Sequence, residues 1–142
     1  MRTLGLDIGD RRIGVAMSDL TGILASPLSI IERDSDEQAV DAILEIVTER
    51  GVERVIVGLP RAMDGHIGHQ AEKVQAFTGL LRQRTAVPVE YRDERLTTVA
   101  AMRLKREAST RRLDRKIRYD AMAAAIILQE YLDEKPATDY QI

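Results

Sequence analysis

The sequence predicts an α/β fold: a five-stranded mixed sheet, in which three antiparallel strands precede αβ crossovers, with helices on both faces. Two observations carry this prediction. Residues 3–31 divide into three short strands separated by turn signals, whereas residues 36–132 alternate helical apolar spacing with short apolar strands. The chain has 142 residues, which fits one domain. We expect that domain over residues 1–135 and a flexible tail over 136–142.

The three antiparallel strands are predicted over residues 3–8, 12–18 and 23–31. A tight turn that begins at Gly9 separates the first two, and a polar turn precedes the third. Pro27 interrupts the third strand. Because proline cannot donate a ladder hydrogen bond, we expect this strand at an edge of the sheet.

The next segments predict a crossover through a parallel strand. A first helix follows the capping residues 34–36 and ends before Gly51. Its apolar positions fall at helical spacing: Val40, Ile43, Leu44 and Val47. The compact apolar strand over 52–58 has the composition of a strand buried in a parallel sheet. A second helix is marked by apolar residues at helical spacing over 71–81.

The last part of the chain predicts one more strand and two more helices. A short fifth strand is expected over 87–91, and Pro88 suits an edge position. A third helix is expected over 97–107 and a polar, basic loop over 108–114. The final helix is expected over 116–132.

The composition limits the kinds of site that the chain can build. It has no cysteine, so neither disulfides nor thiolate metal sites can form. Any metal must be a hard cation held by oxygen, with only His66 and His69 offering nitrogen. These two loop histidines are read as solvent-exposed, with a histidine metal site as the alternative. No apolar run approaches the roughly 18–20 residues of a membrane span and no signal peptide opens the chain, so we expect a cytoplasmic protein.

Positive charge is concentrated in one segment, residues 103–118. The net charge of the chain is −2, but this segment carries eight basic side chains against two acidic ones, a local charge of +6. Such a segment attracts phosphates, although a solvated helix face would have the same composition. The basic residues are Arg103, Lys105, Arg106, Arg111, Arg112, Arg115, Lys116 and Arg118.

Acidic residues occur at three positions where their presence needs an explanation. Asp7 lies inside an otherwise apolar strand, where a buried charge needs a cation, a hydrogen-bond network or a metal. Asp120 begins the apolar stripe of the final helix, unless it is simply an acid favoured by the helix dipole. Asp93 and Glu94 follow the fifth strand; adjacent strand residues point to opposite faces, so only one of them would face Asp7. Ordinary loop polarity is the alternative for this pair.

Three carboxylates that converge from two strands and a helix repel one another unless cations bind between them. The arrangement suits one or two Mg²⁺ or Mn²⁺ ions, about 3.5–4 Å apart when paired. Such a site hydrolyses phosphodiester bonds, which predicts a metal-dependent nuclease.

The motifs around these acids are long, ordered and spread over residues 4–133. They resemble the YqgF family, small bacterial proteins also described as Holliday-junction-resolvase-like and as pre-16S rRNA nucleases. The motifs that carry the resemblance are Asp7-Ile8-Gly9 with Arg11-Arg12-Ile13-Gly14-Val15-Ala16, Val57-Gly58-Leu59-Pro60 with Met63-Asp64-Gly65 and Gly68, Asp93-Glu94-Arg95-Leu96-Thr97-Thr98, and Asp120 with Ala123-Ala124, Ile127-Leu128-Gln129 and Tyr131-Leu132. One departure is His66, where the family pattern has a small hydroxyl residue.

The resemblance implies a ribonuclease H-like fold, a cytoplasmic location and a nuclease of 16S rRNA 5′-end maturation, with pre-16S rRNA and ribosomal particles as partners. It implies Asp7, Glu94 and Asp120 as the catalytic triad. Glu94 is favoured because resolvases of the wider superfamily place a glutamate after the corresponding strand, with Asp93 as a further metal-ligand candidate. The candidate nucleic-acid contacts are Arg12, Arg95, Arg111, Arg112, Arg115 and Lys116. Arg12 and Arg95 could instead pair with Asp10 or Asp93.

Three alternative functions are kept open. The first is a non-catalytic nucleic-acid or ribosome-assembly module. The second is a Holliday-junction resolvase that acts on branched DNA. The third is a nucleotide-handling protein, because the first turn also resembles the phosphate loop of the actin and sugar-kinase ATPases, although no Walker A lysine loop is present. The oligomeric state is left open.

Overall fold

The computed structural model describes residues 1–60, 68–93 and 113–134, and of residues 113–120 the helical backbone alone. The elements are β1 (Arg2–Ile8), β2 (Arg12–Ser18), β3 (Ala25–Glu32), α1 (Asp36–Arg50), β4 (Val52–Leu59), α2 (His69–Arg84), β5 (Val89–Asp93) and α3 (Leu113–Asp133). The predicted helix over 97–107 lies outside the described residues. None of the helices in the described ranges combines the length and the apolar character that crossing a membrane demands.

The five strands form one mixed sheet in the order β3-β2-β1-β4-β5. β1, β2 and β3 are antiparallel neighbours, whereas β4 pairs parallel with both β1 and β5. The predicted mixed sheet of three antiparallel strands followed by crossovers is confirmed. Both prolines take the edge positions predicted for them: Pro27 lies in β3 and Pro88 directly precedes β5.

β5 extends to Asp93, which the sequence placed just after the strand, and two strands begin later than predicted, each for a visible reason. β3 begins at Ala25 because the Asp19 carboxylate accepts hydrogen bonds from the amides of Ile23 and Leu24, at 2.9 and 3.3 Å, and holds them in the turn. β5 begins at Val89 because Pro88 has no N–H to give to the ladder. α3 begins at Leu113 rather than 116, so the end of the predicted loop is helical.

The boundaries of α1 follow the capping chemistry that the sequence predicts. The Ser35 hydroxyl accepts a hydrogen bond from the Gln38 amide at 3.1 Å. At the other end Gly51 takes the left-handed conformation, with φ of 63°, and its N–H donates to the Val47 carbonyl. Both ends of the helix are therefore fixed by local interactions.

Replacing Ser35 with alanine should lower the free energy of unfolding by about 1 kcal/mol, because an orphan amide of the first turn loses its acceptor. Urea denaturation of the purified variant measures this. The matched control is Ser26→Ala, at an exposed position of β3. Equal losses in both variants would contradict the capping role.

The sheet has a hydrophobic core on each face. Apolar side chains of β1 and β2 pack with α1 and α2 on one face. On the other face α3 supplies a second cluster with two residues of the sheet: Ala16, Ile56, Ala123, Ala124, Ile127, Leu128 and Leu132. Gly5 lies directly beneath α3, where a Cβ would be 2.8 Å from Leu128 Cβ and 3.0 Å from the Ala124 carbonyl oxygen. This close approach determines the distance between α3 and β1.

Candidate active site

Asp7 is a buried carboxylate near the carboxyl end of the central strand, with 3% of its surface exposed. Strand alternation places it on the α3 face of the sheet, together with Gly5. Its partner on β2 is Gly14. On the other side β4 continues from Val57, the partner of Leu6, to Gly58. Because neither glycine has a side chain, no side chain of β2 or β4 stands directly beside Asp7 on the α3 face.

α3 runs antiparallel to β1, as its contacts along the helix show. Near its end, Gln129 Oε1 accepts from the Ala25 amide and Gln129 Nε2 donates to the Ile23 carbonyl, both at 2.9 Å. Earlier in the helix, Ala124 lies over Gly5. Residues nearer the amino end of α3 therefore lie above residues nearer the carboxyl end of β1. Position 120 stands one turn before Ala124, so the helix backbone brings it to the level of Asp7.

The register of β5 shows on which face of the sheet Asp93 lies. Arg92 pairs with Gly58 and binds residues of α3, so it belongs to the α3 face. Tyr91 packs with the α1 and α2 core on the opposite face. Asp93 pairs with Leu59 and, by alternation, follows Tyr91 rather than Arg92. Asp93 therefore does not share the face of Asp7, and its role as a metal ligand stays a prediction that this register does not favour.

Arg92 ties β5 to the last turn of α3. Its guanidinium binds Glu130, at 3.5 Å, and Glu134, at 2.9 Å from Nη2. The hydrogen bond from Arg92 lowers the pKa of the Glu134 carboxyl, and the same bond raises the pKa of Arg92. The ion pairs fix the far end of the helix against the strand that leads to Glu94.

The turn between β1 and β2 is closed by Gly9. Its N–H donates to the Arg12 carbonyl at 2.9 Å, and a Cβ at this position would lie 2.6 Å from the same oxygen. Only glycine fits such a contact. Arg33 holds the turn from outside: its Nη1 donates to the Gly9 carbonyl at 2.7 Å and its amide donates to the Arg11 carbonyl at 2.8 Å.

Arg33 is the site-supporting residue that the sequence analysis missed. It lies in no motif and carries no unusual spacing. The available signal was topological: in the predicted meander, the end of the third strand lies beside the turn between the first two. A basic residue directly after that strand was therefore a candidate contact for the turn.

The other predicted site residues are distributed as follows. Arg12 begins β2, half-buried, where it pairs in register with Glu32. Asp120, Arg115 and Lys116 lie in α3, described as backbone. Outside the described residues fall Glu94, Arg95, Arg111, Arg112 and His66. Among the side chains that the structure describes, no three acids or histidines gather closely enough to hold a metal ion. The carboxylate triad thus stays a prediction, anchored by Asp7.

The exposed side of α1 is acidic. α1, on the face opposite Asp7, exposes a row of acids and carries one basic residue, at the helix end: Asp36, Glu37, Asp41, Glu45 and Glu49 against Arg50. The basic segment 103–118 runs into α3, on the Asp7 face. The exposed side of α1 therefore repels a polyanion.

Comparison with known proteins decides the family. The model of the RuvX Holliday junction resolvase family matches residues 1–134. The chain belongs to this family. A relative from Desulforudis audaxviator (strain MP104C), named "Putative pre-16S rRNA nuclease", is 47% identical over 135 residues, covering 95% of this chain and 96% of the relative. A relative of the same name from Clostridioides difficile (strain 630) is 45% identical over 134 residues, covering 94% and 95%. The resemblance stated from the motifs is confirmed.

Solved structures agree on the fold. Thermus thermophilus RuvC in complex with a Holliday junction substrate matches with a TM-score of 0.54 and 18% identity, over 93% of each chain. The fowlpox virus Holliday junction resolvase matches with a TM-score of 0.54 and 15% identity, over 95% of this chain and all of that one, 100%. The predicted ribonuclease H-like fold is confirmed. Membership of the RuvX family also confirms the predicted class, a nuclease, in place of the nucleotide-handling alternative.

Proposed function

We propose that this RuvX-family chain is a divalent-metal-dependent nuclease that cleaves the phosphodiester backbone during 5′-end maturation of pre-16S rRNA in the cytoplasm. The observation that carries the proposal is Asp7: a buried carboxylate flanked by Gly14 and Gly58, under the helix that contains Asp120. A carboxylate buried in an apolar strand is costly unless a cation or a hydrogen-bond network compensates it, and a bound metal ion would supply such a cation. Two close relatives are named for the same substrate.

The ligand set that we propose is Asp7, Glu94 and Asp120. Arg92 lies on the α3 face of the sheet. Side chains two residues apart in a strand share a face, and Glu94 is two residues after Arg92. Helical periodicity likewise places position 120 on the stripe of Ala124, which packs over β1. Three carboxylates and no thiol fit Mg²⁺ or Mn²⁺, one ion or a pair. When bound, the metal supplies an activated water and stabilises negative charge on the phosphate oxygens.

The remaining residues of the site hold and orient the polynucleotide. The turn closed by Gly9 lets the backbone approach a phosphate closely, and Arg12 follows it directly. Basic side chains at the start of α3 and before it neutralise further phosphates: Arg95, Arg111, Arg112, Arg115 and Lys116. The acidic face of α1 points away from this path. A substrate carried on a ribosomal particle would therefore contact the α3 side.

A second candidate is cleavage of branched DNA. It is favoured by the family description and by the likeness to a resolvase solved with its junction. Both candidates need the same acids and differ in the polynucleotide that fits. The non-catalytic binding module differs from both because it predicts binding without cleavage.

Side-by-side cleavage assays separate these functions. A pre-16S rRNA 5′ fragment and a four-way DNA junction are incubated with the purified protein in Mg²⁺, Mn²⁺ or EDTA. We expect the RNA to be cut with Mg²⁺ or Mn²⁺ and to stay intact in EDTA. Faster cleavage of the junction would favour the resolvase. Salt-sensitive binding of both substrates, with no cleavage in either metal, would contradict a nuclease and leave the binding module.

A further inference from the structure

We propose that Arg33 is a positioning residue of the active site: it holds the turn between Asp7 and Arg12 against the α1 and α2 layer. The inference rests on the proposed function, because it assigns Arg33 a part in catalysis without contact to substrate or metal. Its basis is that one guanidinium joins the turn to two other elements, α1 and α2.

The first set of contacts fixes the turn itself. Arg33 Nη1 donates to the Gly9 carbonyl at 2.7 Å, and the Arg33 amide donates to the Arg11 carbonyl at 2.8 Å. The Arg33 side chain is 14% exposed, so its hydrogen bond to Gly9 is shielded from competing water. Gly9 is two residues from Asp7, and its N–H closes the turn onto the Arg12 carbonyl. Displacement of Gly9 therefore moves both functional side chains.

The second set of contacts fixes the guanidinium. Nε and Nη2 of Arg33 both donate to Asp36 Oδ1, at 3.1 and 2.9 Å, on the first turn of α1. The guanidinium carbon lies 4.8 Å from the centre of the Phe77 ring of α2, and Phe77 is buried. Arg33 therefore couples the position of the turn to the positions of α1 and α2. A lysine cannot reproduce this geometry, because it lacks the planar fork and stacks less well on the ring.

A second side chain that contacts the turn, Lys73, supports it much more weakly. Lys73 Nζ lies 3.6 Å from Asp10 Oδ1, and the two side chains are 44% and 62% exposed. An exposed pair at that distance contributes little. The hydrogen bond from Arg33 to Gly9 is therefore a stronger restraint on the turn than the Lys73–Asp10 ion pair.

The chain contains a matched control for the test. Arg82 donates from Nε and Nη2 to the Val89 carbonyl, at 3.2 and 2.7 Å, and its guanidinium carbon lies 4.8 Å from the centre of the Tyr91 ring. Arg82→Lys thus disturbs two of the three kinds of contact that Arg33→Lys disturbs, the hydrogen bond to a backbone carbonyl and the contact with an aromatic ring. It does so at the amino end of β5, away from the turn.

The experiment compares wild type, Arg33→Lys and Arg82→Lys by cleavage kinetics and by amide hydrogen exchange at Gly9. We expect Arg33→Lys to lower kcat about tenfold or more and to leave KM within about twofold, because misplacement of a catalytic group by a fraction of an ångström costs rate before binding. Exchange at Gly9 should accelerate in Arg33→Lys alone. Arg82→Lys should keep kcat within about twofold of wild type.

Two further outcomes keep the proposal open to refutation. Equal kcat values and equal Gly9 exchange in the two lysine variants would overturn it. If Arg33→Lys does not fold, Asp36→Asn tests the same restraint from an exposed residue, and it should shift kcat and Gly9 exchange in the same direction by a smaller factor. Failure of the proposed function looks different: wild type itself would not cleave, whereas the exchange measurement would still report on the turn.

Discussion

Replacing Asp7 with asparagine should abolish metal-dependent cleavage, with a loss of kcat on the order of 10³-fold or more, in a protein that still folds. Asparagine has nearly the same shape, so the packing beneath α3 is kept. It lacks the negative charge that a divalent cation requires from a ligand at this position. The carboxylate is buried at the centre of the sheet, so the loss should not be made up by another side chain.

The measurement has a control in the same turn and a readout besides activity. Asp10→Asn removes an exposed carboxylate whose contact with Lys73 is weak, and it should leave kcat within about threefold. Mn²⁺ should raise the melting temperature of wild type and of Asp10→Asn, but not that of Asp7→Asn, since ligand binding stabilises only a protein that holds the ligand. If Asp7→Asn still cleaved the substrate and Mn²⁺ still raised its melting temperature, Asp7 would not be a ligand of the metal.

Local chemistry made much of the fold predictable. Ser35 and Gly51 mark the ends of α1 because a side-chain acceptor and a left-handed glycine are strong, short-range signals. Pro27 and Pro88 point to the two edge strands for an equally local reason, the missing amide hydrogen. The start of β3 was wrong because the Asp19 side chain competes for backbone amides, and a strand pattern does not show that competition.

The site was less predictable because it depends on register and on contacts between distant elements. The resemblance favours Glu94 over Asp93, but only the pairing of β5 with β4 shows that Asp93 does not share the face of Asp7. Arg33 acts through the Gly9 carbonyl, 24 positions away in sequence, so no local pattern marks it. Asp7 itself was found because a charge inside an apolar strand is costly wherever the strand lies. The cost of burying a charge can be inferred from a sequence, whereas contacts between residues distant in the chain cannot.

Replacing Gly5 with alanine should lower the free energy of unfolding by about 1–3 kcal/mol, because the new methyl group meets a helix that cannot yield locally. A Cβ there would lie 2.8 Å from Leu128 Cβ and 3.0 Å from the Ala124 carbonyl oxygen, both at the backbone of α3. The change is diagnostic because alanine usually suits a strand better than glycine does. Urea denaturation measures the loss.

The control for Gly5→Ala is Gly79→Ala in α2, where the added Cβ meets nothing within 4 Å. There the substitution should raise the free energy of unfolding by about 0.5–1 kcal/mol, because alanine is the better helix former. Gly5→Ala should also lower kcat more than Gly79→Ala does, since a helix lifted from β1 carries position 120 away from Asp7. A stable Gly5→Ala protein with wild-type kcat would mean that α3 can move without disturbing the site, and the spacing of α3 above β1 could not then be what brings the acids together.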